Sequence, residues 1–273
     1  MLGEDASQRV WKRIEIIGDI AIIKKPLGWD NIGMLRRLGE ELWRRLPYVN
    51  SVWLAATPVE GVYRVRDLIH LAGVKKTETV YREHGCVFKL DITRVYISPR
   101  LGYEHRRIAE LVKDGERILN MYAGAGFFSI HAACRKDVEA AYSIDLNPYA
   151  FRYMVENVRL NHVEDKVVPI LGEAYTTTIK FFRSSVDRVL MPLPEKALEH
   201  LPAAVRALDE KGIIHVYLHV AASSSSEALS KARLMISGIL RRYVVGYRFE
   251  YSRIVRTVGP REYQVVVDVH VVK

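Results

Sequence analysis

Gly124 and Gly126 sit in the run Met121-Tyr122-Ala123-Gly124-Ala125-Gly126, and an acid, Asp145, follows about 20 residues later. Glycines let a ligand approach the backbone closely, and an acid closing the next strand can accept both hydroxyls of a ribose. A dinucleotide site needs a third glycine and a helix N-terminus open to a pyrophosphate. Here Ser129 takes the third slot, and Phe127-Phe128 would crowd a diphosphate. An adenosine ligand without phosphates fits the pattern better, and S-adenosylmethionine is the usual one. Metal chemistry finds no such pattern. Cys86 and Cys134 are too few for a cysteine-rich site, and the nine histidines lack H-E-x-x-H or H-x-x-E-H spacing. A metal-independent protein is expected.

The elements around the glycines explain why these residues would meet. Ile118, Leu119 and Met121 read as a buried parallel strand that stops at the glycine loop, with a helix from about Phe127. A second strand ends on Asp145, and Asn147 can cap the next helix with Pro148 at its first position. Ala150, Met154, Val155 and Val158 form its expected buried stripe. Strands at 167–171, 186–191 and 212–220, helices at 195–208 and from about 226 to 240, and β-rich segments at 243–254 and 263–272 complete the pattern. Alternating strands and helices predict an α/β doubly wound sheet over residues 99–273.

Residues 1–98 read as a smaller α+β domain with a largely antiparallel sheet. A hairpin is expected over 14–24 around Gly18-Asp19, a helix over 31–46 and a strand over 51–55. Two further strands, 79–88 and 89–97, would turn near His84-Gly85. Pro99 and Gly102 punctuate the start of a helix over 103–112, which places the domain boundary there.

Composition bounds the function. The 273 residues, 49% hydrophobic and 27% charged, can bury a sizeable core. No apolar run reaches the roughly 18 residues of a membrane span, and the N-terminal residues show no signal-peptide core. The expectation is a reduced, cytoplasmic protein without a membrane, a monomer by preference. A net charge of +9 permits a polyanionic partner, since lysine and arginine neutralise phosphates.

The stretches NMYAGAGFFSI, SIDLNPYAFRYMVENVRLNHVEDKVVPILGE and VDRVLMPLPEKALEHL carry a resemblance. They look like the class I methyltransferase core of the archaeal–eukaryotic tRNA (guanine-37-N1)-methyltransferase and wyosine-biosynthesis family. Segments before and after, such as GVYRVRDLIHLAG and RTVGPREYQVVVDV, are similar to it in the same order. The chain resembles the shorter form, without an extra small N-terminal domain.

The resemblance implies S-adenosylmethionine as donor and the base at tRNA position 37, in the anticodon loop, as acceptor. Asp145, Leu146 and Asn147 would meet the cofactor's ribose and adenine, Tyr122, Ala123, Gly124 and Gly126 its methionine side. Glu173, with Ala174 beside it, stands where the family has an acid for the adenine amino group. Arg64, Tyr96 and Glu104 match the family's arginine, tyrosine and glutamate around the transferring methyl. In N1-methylating members the glutamate takes the N1 proton while the arginine stabilises charge on the base oxygen. Read without the family, Arg64 and Arg66 are alternating arginines on a strand, Glu104 a helix N-terminal acid, Tyr96 a core aromatic, and Arg106-Arg107 a solvated pair.

Three departures bear on the reaction. N1-methylating relatives have Asn-Leu-Pro after the fourth strand, and this chain has Pro192-Leu193-Pro194. Proline offers neither a side-chain amide nor a backbone donor, so Pro192 cannot hold guanine as asparagine would. Asn120 replaces an aspartate and His105 an arginine. The expected acceptor is therefore C7 of 4-demethylwyosine, the tricyclic base made from N1-methylguanosine, ahead of N1 of guanosine. Aminocarboxypropyl transfer from the same cofactor, or an inert RNA-binding protein, are the rival readings.

Overall fold

Residues 14–25 and 31–273 are described by this computed structural model. The chain divides into two compact units, Met1–Gly102 and Tyr103–Lys273. In the first, β1 (Ile14–Ile17) and β2 (Ile20–Lys24) form the expected hairpin. Asp19 in its turn accepts from Asn50 Nδ2, Thr79 Oγ1 and Lys76 Nζ, at 2.7, 2.7 and 2.5 Å. Helix α1 (Ile32–Arg45) begins at Asn31, whose side chain accepts from the Met34 N–H. It buries Leu35 and Leu42 against β3 (Ser51–Ala55) and β4 (Leu68–Gly73). The sheet order is β1-β2-β3-β4, antiparallel except between β2 and β3. Strand β4 was not anticipated; its irregular burial leaves no clean alternation to read.

Strands β5 (Glu78–Glu83) and β6 (Cys86–Asp91) turn at His84-Gly85, as the sequence suggests. The extended stretch expected over 89–97 ends early, at Asp91. Its carboxylate bends the chain back by accepting from Thr93 N–H and Oγ1 and from Thr77 Oγ1. This side-chain turn competes with the strand ladder and wins. Tyr96 therefore lies in an irregular segment rather than on a strand.

A short 3₁₀ turn, Pro99–Leu101, leads into α2 (Gly102–Leu111). There follow β7 (Arg117–Asn120), α3 (Phe127–Arg135), β8 (Ala140–Asp145), α4 (Pro148–Leu160), β9 (Val167–Leu171), α5 (Ala174–Phe181), β10 (Val186–Met191), α6 (Pro194–Ala207), β11 (Leu208–Ala221), α7 (Ser225–Leu240), β12 (Gly246–Gly259) and β13 (Glu262–Val272). The seven strands order as β12-β13-β11-β10-β7-β8-β9. All pairs from β11 to β9 are parallel, and β13 runs antiparallel to both β11 and β12. This is the expected doubly wound sheet.

Strand periodicity sorts the core. Leu119 and Met121 join the cluster built with α5, α6 and α7, while Ile118 and Asn120, one residue out of phase, face the other side. Full burial of each such apolar side chain is worth roughly 1.5–3 kcal/mol. Helix α5, rich in threonine, was not anticipated because threonine is a modest helix former; Glu173 starts it by accepting from the Tyr175 and Thr176 N–H groups. On α4 the expected stripe needs one correction. Val155 is only half-buried, and Asn157 is fully buried instead, with Nδ2 donating to Ala125 O at 3.1 Å. Among the described residues no helix is long and apolar enough to cross a membrane.

Candidate active site

Strand β7 is hydrogen-bonded to β8 on one side and β10 on the other, so the chain reverses its winding there. Ligands of open α/β sheets bind at the C-terminal ends of the strands at such a point. The loop leaving β7 is held on all sides. Ala123 N–H donates to Ile144 O at 2.8 Å, Gly126 N–H to Ala123 O at 2.9 Å, and Asn157 reaches Ala125 O. Gly124 (φ +57°) and Gly126 (φ +94°) take left-handed conformations that a side chain would strain. Nothing lies within 4 Å of where a Gly124 Cβ would stand, whereas one at Gly126 would meet Ile130 Cδ1 at 2.8 Å. Gly124 thus faces open space, and Gly126 permits close packing of α3.

Asp145 closes β8 beside this loop. Oδ2 accepts from the Gly124 N–H at 2.6 Å and Oδ1 from the Asn147 N–H at 2.9 Å. Each oxygen keeps a lone pair for a further donor. Burial pushes this carboxyl up from its ordinary value, against the two N–H groups that stabilise its charge. Leu146 is exposed, and Asn147 caps α4 by accepting from the Tyr149 N–H. The room over Gly124 and the oriented carboxylate fit a ribose-bearing adenosine group. Phe127 and Phe128, read from the sequence as obstacles to a diphosphate, are buried around His105; His105 lies parallel to Phe127 at 5.2 Å and edge-on to Phe128 at 4.6 Å.

Asn120, one of the three departures, is fully buried and satisfied. Its Oδ1 accepts from the Tyr122 N–H at 3.3 Å and its Nδ2 donates to Ser129 Oγ at 3.2 Å. An amide serves both contacts, so this departure keeps the loop's shape.

Glu173 ends the strand-to-helix turn after β9 with both oxygens on backbone N–H groups at 2.9 and 2.7 Å. Burial works against its charge, but the helix N–H groups prevail and hold the carboxyl below its usual value. Ala174 is buried at the start of α5. Sequence reading missed His200 on α6. Its Nδ1 lies 2.6 Å from the Tyr122 hydroxyl and 4.0 Å from Glu173 Oε1. Burial holds His200 down and neutral and pushes the Tyr122 phenol well up, so the contact joins two neutral groups. An isolated histidine on a helix carries no signal that would have found it.

Pro192 and Leu193 leave the end of β10, next to the β7 loop in the sheet order. Met191 pairs with Val216 of β11, so the following residue there, Tyr217, comes level with Pro192. Tyr217 donates from its hydroxyl to Glu104 Oε2 at 2.9 Å. Glu104, in the first turn of α2, is 1% exposed, and Arg107 Nε donates to the same oxygen at 3.0 Å. Oε1 has no hydrogen-bond partner; Arg253 Nη1 stands 3.4 Å from it. Tyr122, Ala123, Gly124, Gly126, Asp145, Asn147, Glu173, Pro192 and Glu104 all belong to this larger unit. Arg106 is the solvated arginine, paired with Glu110, whereas Arg107 is buried.

Arg64 and Tyr96 belong to the smaller unit. Arg64 is not on a strand: it sits in a turn with φ +56°, its N–H donating to Gly61 O at 3.2 Å. A left-handed non-glycine residue is uncommon and marks a constrained position. Arg66 is committed elsewhere, donating to Glu15 Oε2 at 3.0 Å in a cluster that includes Lys24.

Residues 79–237 match the profile described as the TRM5/TYW2 methyltransferase domain. The chain is 41% identical over 262 residues to the tRNA 4-demethylwyosine(37)-methyltransferase Taw21 of Saccharolobus solfataricus, covering 96% of this chain and 95% of the relative. It is 35% identical to the tRNA (guanine(37)-N(1))-methyltransferase Trm5b of Pyrococcus abyssi over 94% of this chain and 74% of that one. The crystal structure of Trm5b from P. abyssi superposes with a TM-score of 0.87, covering 100% of this chain and 79% of that chain. Methanocaldococcus jannaschii Trm5 in complex with adenosine is similar at a TM-score of 0.81 and 29% identity, over 99% of this chain and 75% of that one.

Proposed function

We propose that this chain, which belongs to the TRM5/TYW2 methyltransferase family, methylates the base at position 37 of tRNA, with C7 of 4-demethylwyosine as acceptor. The observation that carries this reading is Glu104, a buried carboxylate with one oxygen doubly held and the other without a hydrogen bond. Methylation at N1 of guanine or at C7 of the tricycle replaces a ring hydrogen, so one proton must leave. A positioned carboxylate with one oxygen free of hydrogen bonds is equipped to take it.

Asp145 would hold the ribose, Glu173 the adenine amino group, and Gly124 the approach to the backbone. S-adenosylmethionine supplies a methyl group activated by its positive sulfur, which takes back the bonding pair. Arg64 would stabilise charge on the base oxygen and Tyr96 contact the ring. A base stacked in the anticodon loop has to be extruded to reach these groups. We assign that presentation to the smaller domain, and the net charge of +9 suits a polyanionic substrate. Such a substrate goes with a cytoplasmic setting.

Pro192 supports C7 over N1, since it has neither the side-chain amide nor the backbone N–H to hold a guanine edge. The name of the 41% identical relative points the same way. N1 of guanosine is the second reading, favoured by the similarity to Trm5b. A cofactor labelled separately in its methyl and carboxyl groups tests the reaction type. Methyl label is expected in tRNA and none from the carboxyl group, and a pyrimidine at position 37 is expected to abolish transfer. Carboxyl label in tRNA would instead mean aminocarboxypropyl transfer.

Asp145 gives a pH test. Its carboxyl is raised by burial, and only the charged form accepts from both ribose hydroxyls. Cofactor affinity by calorimetry is expected to weaken on acidification at a pH above the ordinary aspartate value of about 3.9. Affinity that stays flat down to that value would remove Asp145 from the ribose site.

A further inference from the structure

Behind Glu104 runs a buried polar chain that the sequence did not signal. Arg188 on β10 is 1% exposed and donates to Glu116 from Nε and Nη2 at 2.6 and 2.9 Å. Its Nη1 lies 2.7 Å from His215 Nε2. A guanidinium only donates, so Nε2 must carry a lone pair, and His215 is neutral with its proton on Nδ1. Burial, which holds His215 below its ordinary value, agrees. Nδ1–H then donates to Asp268 Oδ1 at 2.6 Å. Asp268 also receives Arg107 Nη1 on Oδ2 at 2.5 Å and Nη2 on Oδ1 at 3.2 Å.

This bidentate pair fixes the plane of the Arg107 guanidinium, whose face lies 5.0 Å from the Tyr251 ring centroid. Its Nε–Nη2 edge is thereby turned towards Glu104 Oε2, at 3.0 and 2.9 Å. The Tyr217 hydroxyl arrives at that same oxygen from β11. Stability alone does not require such an arrangement, because well-packed apolar side chains commonly replace buried ion pairs without loss. The convergence of both hydrogen bonds on Oε2, with only the Arg253 ion-pair contact at 3.4 Å on Oε1, is the distinguishing feature.

We propose that Tyr217 and Arg107, the latter locked by Asp268 and His215, are positioning residues that present Glu104 Oε1 to the departing ring proton. The proposal rests on the reading of Glu104 as proton acceptor. Oε2 is the anchored oxygen, and the syn or anti face of Oε1 is offered according to the carboxylate plane these donors set. Loss of either donor lets the plane turn, and a misdirected acceptor slows the chemical step without touching the binding of either substrate.

The test is a set of single-turnover and steady-state methyl-transfer measurements on whichever position-37 base accepts the label. Tyr217→Phe removes one hydroxyl at constant shape. It is expected to lower kcat about ten- to a hundredfold, with KM for tRNA and cofactor within about twofold of the parent. Because Tyr217 acts through Glu104, adding Tyr217→Phe to Glu104→Gln is expected to cost nothing further. His215→Asn, which can still donate to Asp268, is expected to retain more activity than His215→Leu. An unchanged kcat in Tyr217→Phe, or a loss that multiplies in the double variant, would overturn the positioning role. If Glu104→Gln alone keeps the parent rate, it is the proton-acceptor reading that fails.

Discussion

Glu104→Gln is expected to lower kcat by about 10²–10⁴-fold while leaving cofactor affinity unchanged. Glutamine keeps the shape of the side chain and an oxygen for the Tyr217 and Arg107 donors, so the local packing around α2 survives. What it loses is the ability to take a proton. The buried setting sharpens the effect: at 1% exposure no bulk water stands ready to replace the carboxylate. Cofactor affinity is the control, because the ribose and adenine contacts assigned to Asp145 and Glu173 lie at the ends of β8 and β9. Rates within about threefold of the parent would mean that the proton leaves to solvent or to another group.

Asp268→Ala is expected to cost about 3–5 kcal/mol of folding stability, read from urea unfolding of the whole chain. The alanine leaves Arg107 buried without its bidentate partner and His215 Nδ1–H without an acceptor. The same carboxylate should make stability depend on acid. Burial works to raise its pKa, but His215 and Arg107 outweigh burial and hold the carboxyl at about 2. Titrating lower in the folded than in the unfolded chain, Asp268 contributes its full share above about pH 4. That share, about 2 kcal/mol, is lost as pH falls towards 2. The parent should therefore lose stability more steeply than Asp268→Ala over this window. Parallel curves would contradict the assignment.

Much of the larger unit was legible in the chain because local signals and tertiary packing agree there. Strand Ala140–Asp145, the Asn147 cap with Pro148, and the strands at 167–171 and 186–191 all fell where apolar runs and turn residues put them. Failures came where a single side chain redirects the backbone. Asp91 ends a strand whose sequence stays β-like to residue 97, and Glu173 starts a threonine-rich helix that propensity would not nominate. Strand β4 lacks alternation because its burial changes along its length.

Site legibility was uneven for a related reason. The glycine loop and Asp145 have a spacing that can be read, since both lie on one βαβ unit. The polar chain from Glu116 to Glu104 joins α2, β10, β11 and β13, residues far apart in sequence, and only the sheet register brings His215 opposite Asp268. Arg107 looked like half of a solvated pair for that reason. Tyr122 and His200 likewise meet only because α6 packs beside the loop.

The most direct measurement is methyl transfer from labelled S-adenosylmethionine to two tRNAs identical except at position 37, one with guanosine and one with 4-demethylwyosine. Label is expected on the tricycle at C7 and at most a trace on guanosine, with Pro192 setting the preference. Label on guanosine N1 alone would contradict it, and would mean that another group holds guanine in place of the missing asparagine.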